Sequence, residues 1–146
     1  MKLWYVLILL GLSGPVSAEP RSLQIDASQK KVSNKMIRKA HEVIKHNKSL
    51  KEARFAILNA ALTSRNIKWI LEKDADDFIE FRWDYNGASI YTRVDYGKGF
   101  IQLKYANAYD DYRCENNIDG ICYYNEDRAY YKYLGVFREA IVNEIN

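Results

Sequence analysis

The sequence predicts an α+β fold, a four-stranded antiparallel meander with helices packed on one face, in the order α-α-β-β-β-β-α. Apolar residues recur at helical spacing near both ends of the chain, and they alternate with polar residues between positions 67 and 105. The four alternating runs are separated only by short turns, which is typical of an antiparallel meander. With 48% hydrophobic and 28% charged residues among 146, the composition excludes a wholly disordered or collagen-like chain.

The first eighteen residues have the features of a secretory signal peptide. Lys2 is followed by an apolar run over 3–12, a break at 13–15 and the small residue Ala18. A membrane span needs about 20 apolar residues, roughly twice this run. We therefore expect cleavage after Ala18 and a periplasmic or secreted product. Residues 1–18 would be the signal peptide, and 19–146 would form a single α+β domain without a membrane span.

The balance of charge does not favour nucleic acid as a partner. Without Lys2, the 22 basic residues become 21, against 19 acidic residues. A net charge so close to zero provides little electrostatic attraction for a phosphate backbone.

Two helices are predicted before the strands. Ser33 is a predicted N-cap for a helix that carries apolar residues from Met36 to Ile44. Ser49 and Glu52 have the spacing of a capping box, and the helix they begin should end near 65–66. The preceding segment, 19–31, is polar, although Leu23 and Ile25 could dock as a short edge strand.

The strand region has one apolar and one charged face. Alternation begins at Ile67, and Asn86-Gly87 is a strong signal for a two-residue hairpin. We expect helices on the apolar face only. The polar face should be open to solvent, with opposite charges paired across strands or, alternatively, arranged as an anion site. Its predicted members are Lys68, Glu80, Arg82, Tyr91, Arg93, Asp95, Gln102 and Lys104.

The last helix is indicated by an apolar stripe between Tyr130 and Ile145, with Asn125 as a plausible N-cap. Before it lies a loop, 109–125, that contains the two cysteines. Cys114 and Cys122 should form a disulfide, because an exported protein meets an oxidising compartment. The loop-closure entropy of so small a ring is worth about 2.5 kcal/mol.

The search for catalytic or metal-binding residues finds no convincing constellation. His41 and His46 are five residues apart, so one helix cannot bring both to one metal, and each is predicted to be solvated. No P-loop or dinucleotide motif occurs. Four acidic residues around the cysteines could hold Ca²⁺ through their carboxylate oxygens, but their spacing matches no EF-hand. Those residues are Asp110, Asp111, Glu115 and Asp119. We predict neither a cofactor nor a metal.

The tyrosines give the strongest indication of a binding surface. Eleven of the twelve lie beyond residue 80. Tyrosine and arginine are enriched where proteins bind partners, although loop tyrosines can equally pack the loop against the sheet. The candidate binding residues are Tyr109, Tyr112, Arg113, Tyr123, Tyr124, Arg128, Tyr131 and Lys132.

Several short motifs resemble a group of small, largely uncharacterised exported bacterial proteins with an α+β fold. They are Ala60-Ala61-Leu62 with Arg65 and Trp69, Arg93-Val94-Asp95-Tyr96, Ile101-Gln102-Leu103-Lys104-Tyr105, and the aromatic start of the last helix. An Arg-Gly-Trp run that is usual in the group is replaced here by Arg65-Asn66-Ile67. The resemblance implies a fold and no activity.

These observations predict an exported, non-enzymatic binding module. Its partner would be a protein of the envelope or the extracellular space, bound in the manner of an inhibitor or an immunity protein through the tyrosine-rich disulfide loop. The alternative is a glycan or another envelope ligand, which would stack on the same aromatic rings.

Overall fold

The computed structural model describes residues 18–25 and 32–146. Within these residues the chain forms three α-helices, a five-stranded antiparallel sheet and a two-stranded hairpin. The helices are α1 (Asn34–His41), α2 (Leu50–Thr63) and α3 (Ala129–Ile145). The sheet strands are β1 (Ile44–Lys45), β2 (Ile70–Asp74), β3 (Phe78–Tyr85), β4 (Ala88–Gly97) and β5 (Phe100–Tyr109). A 3-10 turn (Asp110–Tyr112) leads to the hairpin strands β6 (Asn116–Ile118) and β7 (Ile121–Tyr124). Residues 1–17 of the predicted signal peptide lie outside the described residues.

The predicted α+β class and the antiparallel meander are confirmed, but the strand count and element order were wrong. The spatial order of the sheet is β1-β5-β4-β3-β2. The additional strand, β1, lies where the first helix was expected to continue, because α1 ends at His41 and Ile44 pairs instead with Ile101. A two-residue strand carries no periodic pattern of its own, so only pairing with β5 defines it.

The local signals at the helix starts are confirmed in two of three cases. Ser33 Oγ accepts a hydrogen bond from Met36 N (3.3 Å), and Ser49 with Glu52 forms the complete capping box. Asn125, however, is not the cap of α3. Arg128 occupies that position without a side-chain hydrogen bond, whereas Asn125 Nδ2 donates to the Tyr112 carbonyl (2.8 Å).

The helices pack on the apolar face of the sheet. Phe137 of α3 stacks on Trp69 and meets Phe81 of β3 edge to face, each with ring centroids 5.2 Å apart. Trp69 precedes β2, which begins at Ile70 rather than at the predicted Ile67. The Asn86-Gly87 hairpin is confirmed, with positive φ at both residues, as a type I′ turn requires.

The polar face is not fully open, contrary to prediction. Residues 19–25, hereafter the strap, cross it and contact Gln102 and Lys104. These two side chains and Asp95 are buried. Leu23 and Ile25 in the strap are half-buried against the core. They form no edge strand, because the strap bonds to side chains of the sheet rather than to a neighbouring main chain.

Candidate interaction surface

The structure divides the eight predicted binding residues into buried and exposed sets. Tyr112, Tyr123 and Tyr131 are buried, and each is at most 4% exposed. These three therefore pack the loop against the body of the protein, which is the alternative that the sequence left open. Tyr124 is half-buried. The exposed members are Tyr109, Arg113, Arg128 and Lys132.

The disulfide between Cys114 and Cys122 is present, as predicted. It joins the segment before β6 to β7. Tyr131 of α3 also contacts β7, because its hydroxyl donates to the Cys122 carbonyl (2.9 Å). Burial raises the pKa of Tyr131, so its hydroxyl remains a hydrogen-bond donor throughout the physiological range. The cysteine loop is therefore an ordered hairpin fixed to α3 and not an irregular loop.

A cluster of aromatic rings lies at one end of the sheet. Tyr133 of α3 lies edge to face with three other rings, at centroid distances of 5.9 Å to Trp83, 6.5 Å to Tyr85 and 6.0 Å to Tyr112. On the opposite side of the sheet, Tyr91 and Tyr109 form a second edge-to-face pair at 5.7 Å. We call these six residues the aromatic end.

Two members of the aromatic end are well exposed and firmly supported. Tyr85 and Tyr109 each retain 49% of their accessible surface. Their neighbours are less exposed and hold them in place, because edge-to-face ring pairs have a preferred geometry. Rings that are already fixed lose little side-chain entropy on binding, which favours association.

The remaining members have different environments. Burial, reinforced by Tyr133, raises the pKa of Tyr112, so this ring supports the cluster as a neutral phenol. Trp83 Nε1 is buried without a hydrogen-bond partner among the described residues. An unpaired buried donor has a cost in free energy.

Sequence reasoning identified Tyr109 and Tyr112 as binding residues and placed Tyr91 on the polar face, but it missed Trp83, Tyr85 and Tyr133 as members of a surface. Trp83 and Tyr85 are two residues apart beside the Asn86-Gly87 turn, so strand alternation alone places them on one face. The sequence therefore indicated that these two rings lie together. The position of Tyr133 could not be predicted, because it depends on where α3 crosses the sheet.

His41 is fully buried, and the prediction that it is solvated was wrong. Its ring joins three elements: Nδ1 donates to the Leu103 carbonyl (2.8 Å), and Nε2 accepts from Cys122 N (3.3 Å) and lies 3.1 Å from the Tyr130 hydroxyl. A carbonyl can only accept and an amide N–H can only donate, so these partners fix the neutral Nδ1–H tautomer. Desolvation by burial lowers the pKa of His41 to about 4, partly opposed by the bond to Leu103. Without solvent access, the ring has a structural role. His46 is half-buried, which also differs from the prediction.

Over residues 18–25 and 32–146, no group of three or more His, Cys, Asp or Glu side chains is placed to hold a metal ion. The four carboxylates considered for calcium do not form such a group. In the part of the chain that the structure describes, no helix has the length and apolar character needed to cross a membrane.

Comparison of the chain with protein families, with curated proteins and with solved structures finds no match.

Proposed function

We propose that this protein is an exported, non-enzymatic binding module that recognises another protein through its aromatic end. The observation that carries the proposal is the pair of exposed tyrosines, Tyr85 and Tyr109, each held by neighbouring rings. Tyrosine and tryptophan supply much of the binding energy of protein interfaces, because they offer large contact area and few rotatable bonds.

The charged residues beside Tyr112 are compatible with a protein partner. Arg113 follows the 3-10 turn that contains Tyr112 and is exposed. It lines a surface pocket together with five carboxylates, those of Asp110, Asp111, Glu115, Glu126 and Asp127. Arginine accompanies the aromatic residues in known interfaces, and the rim of such interfaces is polar. The partner would belong to the envelope or the extracellular space, and an inhibitor or immunity-type role is consistent with that location.

The experiment compares two double variants in affinity capture from an envelope extract. Tyr85→Ala/Tyr109→Ala removes the exposed rings of the aromatic end. Phe55→Ala/Leu62→Ala removes two side chains of α2 that are even more exposed, at 67% and 70%, and lie elsewhere. We expect the wild type and the α2 variant to recover the same protein, and the tyrosine variant to recover at least tenfold less.

The captured protein is then purified and its Kd is measured for all three forms. If both tyrosines act as hot spots, their removal should increase the Kd by about 30-fold or more. Circular dichroism confirms that each variant is folded. Equal Kd values for the wild type and the tyrosine variant would refute the aromatic end as the interface. Retention on protease-treated envelope polysaccharide, lost in the tyrosine variant, would instead support the glycan alternative.

A further inference from the structure

We propose that the polar face of the sheet is a groove for the main chain of an extended peptide, and that the strap is its intramolecular occupant. The groove consists of Gln102 and Lys104 on the polar face and of Tyr123 in β7 of the hairpin that adjoins β5. It is distinct from the aromatic end and does not rest on the function proposed above.

The groove contacts the main chain of the strap at three places. Arg21 N donates to Gln102 Oε1 (2.7 Å), and Gln102 Nε2 donates to the Arg21 carbonyl (2.9 Å). One amide side chain thus satisfies both main-chain groups of one residue, as a neighbouring strand would. Lys104 Nζ donates to the Glu19 carbonyl (2.7 Å), and Gln24 N donates to the Tyr123 hydroxyl (2.7 Å).

The course of the strap indicates an extended chain. Lys104 and Gln102 are two residues apart in β5, and they bond to Glu19 and Arg21, which are two residues apart in the strap. Two residues of an extended chain cover about 6.6 Å, the same distance as two residues of the strand, whereas two helical residues cover about 3 Å.

The groove is held in position by bonds that do not involve the strap. Gln102 Nε2 also donates to the His41 carbonyl at the end of α1 (2.9 Å). Lys104 Nζ also donates to Asp95 Oδ2 (2.5 Å), and Asp95 in turn pairs with Arg93. The polar side chains that contact the strap are therefore already oriented, and a site that needs no rearrangement binds with less entropic cost.

The strap has few buried apolar contacts of its own. It contains no helix or strand, and its apolar contacts come from Leu23 and Ile25, which are half-buried. Segments with few buried apolar contacts open at lower free energy than the core. A ligand that replaces the strap would be an extended peptide with apolar side chains two residues apart, because Leu23 and Ile25 have this spacing.

The test releases the strap without altering the groove. Arg21→Pro/Gln24→Pro removes the two main-chain N–H donors, because proline has none. Arg21→Ala/Gln24→Ala retains both donors and is the matched control. The protein is expressed from its complete coding sequence and purified in the form that the cell leaves it. Binding of a fluorescent capped peptide with the sequence of residues 19–25 is measured by fluorescence anisotropy.

We expect the proline variant to bind the peptide at least tenfold more tightly than the wild type or the alanine control. Adding Gln102→Leu to the proline variant should remove that gain, while adding Phe55→Ala/Leu62→Ala on the exposed side of α2 should leave it unchanged. Equal binding by the folded proline variant and the wild type, or a gain that survives Gln102→Leu, would overturn the proposal.

Amide hydrogen exchange in the wild type gives a second test that does not depend on any variant folding. The Arg21 and Gln24 amides should exchange at least 100-fold faster than the amide of Leu103 in the sheet, yet more slowly than in the free peptide. Exchange at the rate of Leu103 would show that the strap opens only with global unfolding, and the groove would then be unavailable to another peptide.

Discussion

The two faces of the sheet are buried by opposite chemistry at the middle of β5. Gln102 and Leu103 are neighbours in β5 and are both 0% exposed, but they point to opposite faces. Leu103 lies in the hydrophobic core under the helices. Gln102 lies under the seven irregular residues of the strap, which it holds through hydrogen bonds. Alternation of polar and apolar residues therefore identifies two faces, but it does not reveal whether the polar face is solvated.

The two faces differ in the kind of contact that can bury them. Burial of apolar surface is non-directional, so any helix with a matching stripe stabilises the helix-covered face. Buried polar groups need specific partners at defined positions, because a buried group without a hydrogen-bond partner destabilises the folded state. Burial of the polar face therefore depends on a few hydrogen bonds and ion pairs. Single substitutions on the two faces should change the free energy of unfolding by different amounts and for different reasons.

The largest loss should come from Phe137→Ala on the helix-covered face. Phe137 packs between Trp69 and Phe81, and truncation of a buried phenylalanine costs about 3–5 kcal/mol in the free energy of unfolding. Urea denaturation monitored by circular dichroism measures the change. Phe55→Ala is the control, because Phe55 is 67% exposed and should change the free energy of unfolding by less than about 0.5 kcal/mol. Similar losses in both variants would contradict the packing described here.

A somewhat smaller loss is expected for Lys104→Met on the polar face. The substitution leaves Asp95 buried with Arg93 as its remaining partner, and breaking a buried ion pair costs about 3 kcal/mol. The same urea titration applies. Lys45→Met on the exposed edge strand β1 is the control and should stay within about 0.5 kcal/mol of the wild type. A Lys104→Met protein as stable as the control would mean that the polar face is solvated, as the sequence alone suggested.

Lowering the pH should destabilise the protein through His41, which is buried at the end of α1. The pKa of His41 is lowered from 6.5 to about 4, so the folded state favours the neutral ring. Its contribution is complete above pH 6.5 and is lost as the pH falls from 6.5 towards 4. We expect a loss of about 2 kcal/mol in the free energy of unfolding between pH 7 and pH 5.

The variant His41→Gln isolates this effect. It retains a polar side chain but does not titrate, so its free energy of unfolding should change less than that of the wild type over the same pH range. Parallel pH profiles for the two proteins would show that other groups cause the acid sensitivity.

The features that could be predicted are those encoded within a few residues. The N-caps Ser33 and Ser49 and the Asn86-Gly87 turn were correct, because each depends on local backbone geometry. The disulfide was also correct, since its two cysteines are only eight residues apart. The candidate binding surface was predicted only in part, because the burial of Tyr112, Tyr123 and Tyr131 depends on how the cysteine hairpin docks on α3.

Periodicity and turn residues act over short stretches of chain, and they are sufficient to predict the α+β class, the meander and the apolar stripe of α3. They do not predict that the strap covers the polar face, that His41 is buried or that six rings lie at one end of the sheet. Each of these depends on contacts between residues about 20 to 100 positions apart, which are set by the packing of whole elements and leave no local pattern in the sequence.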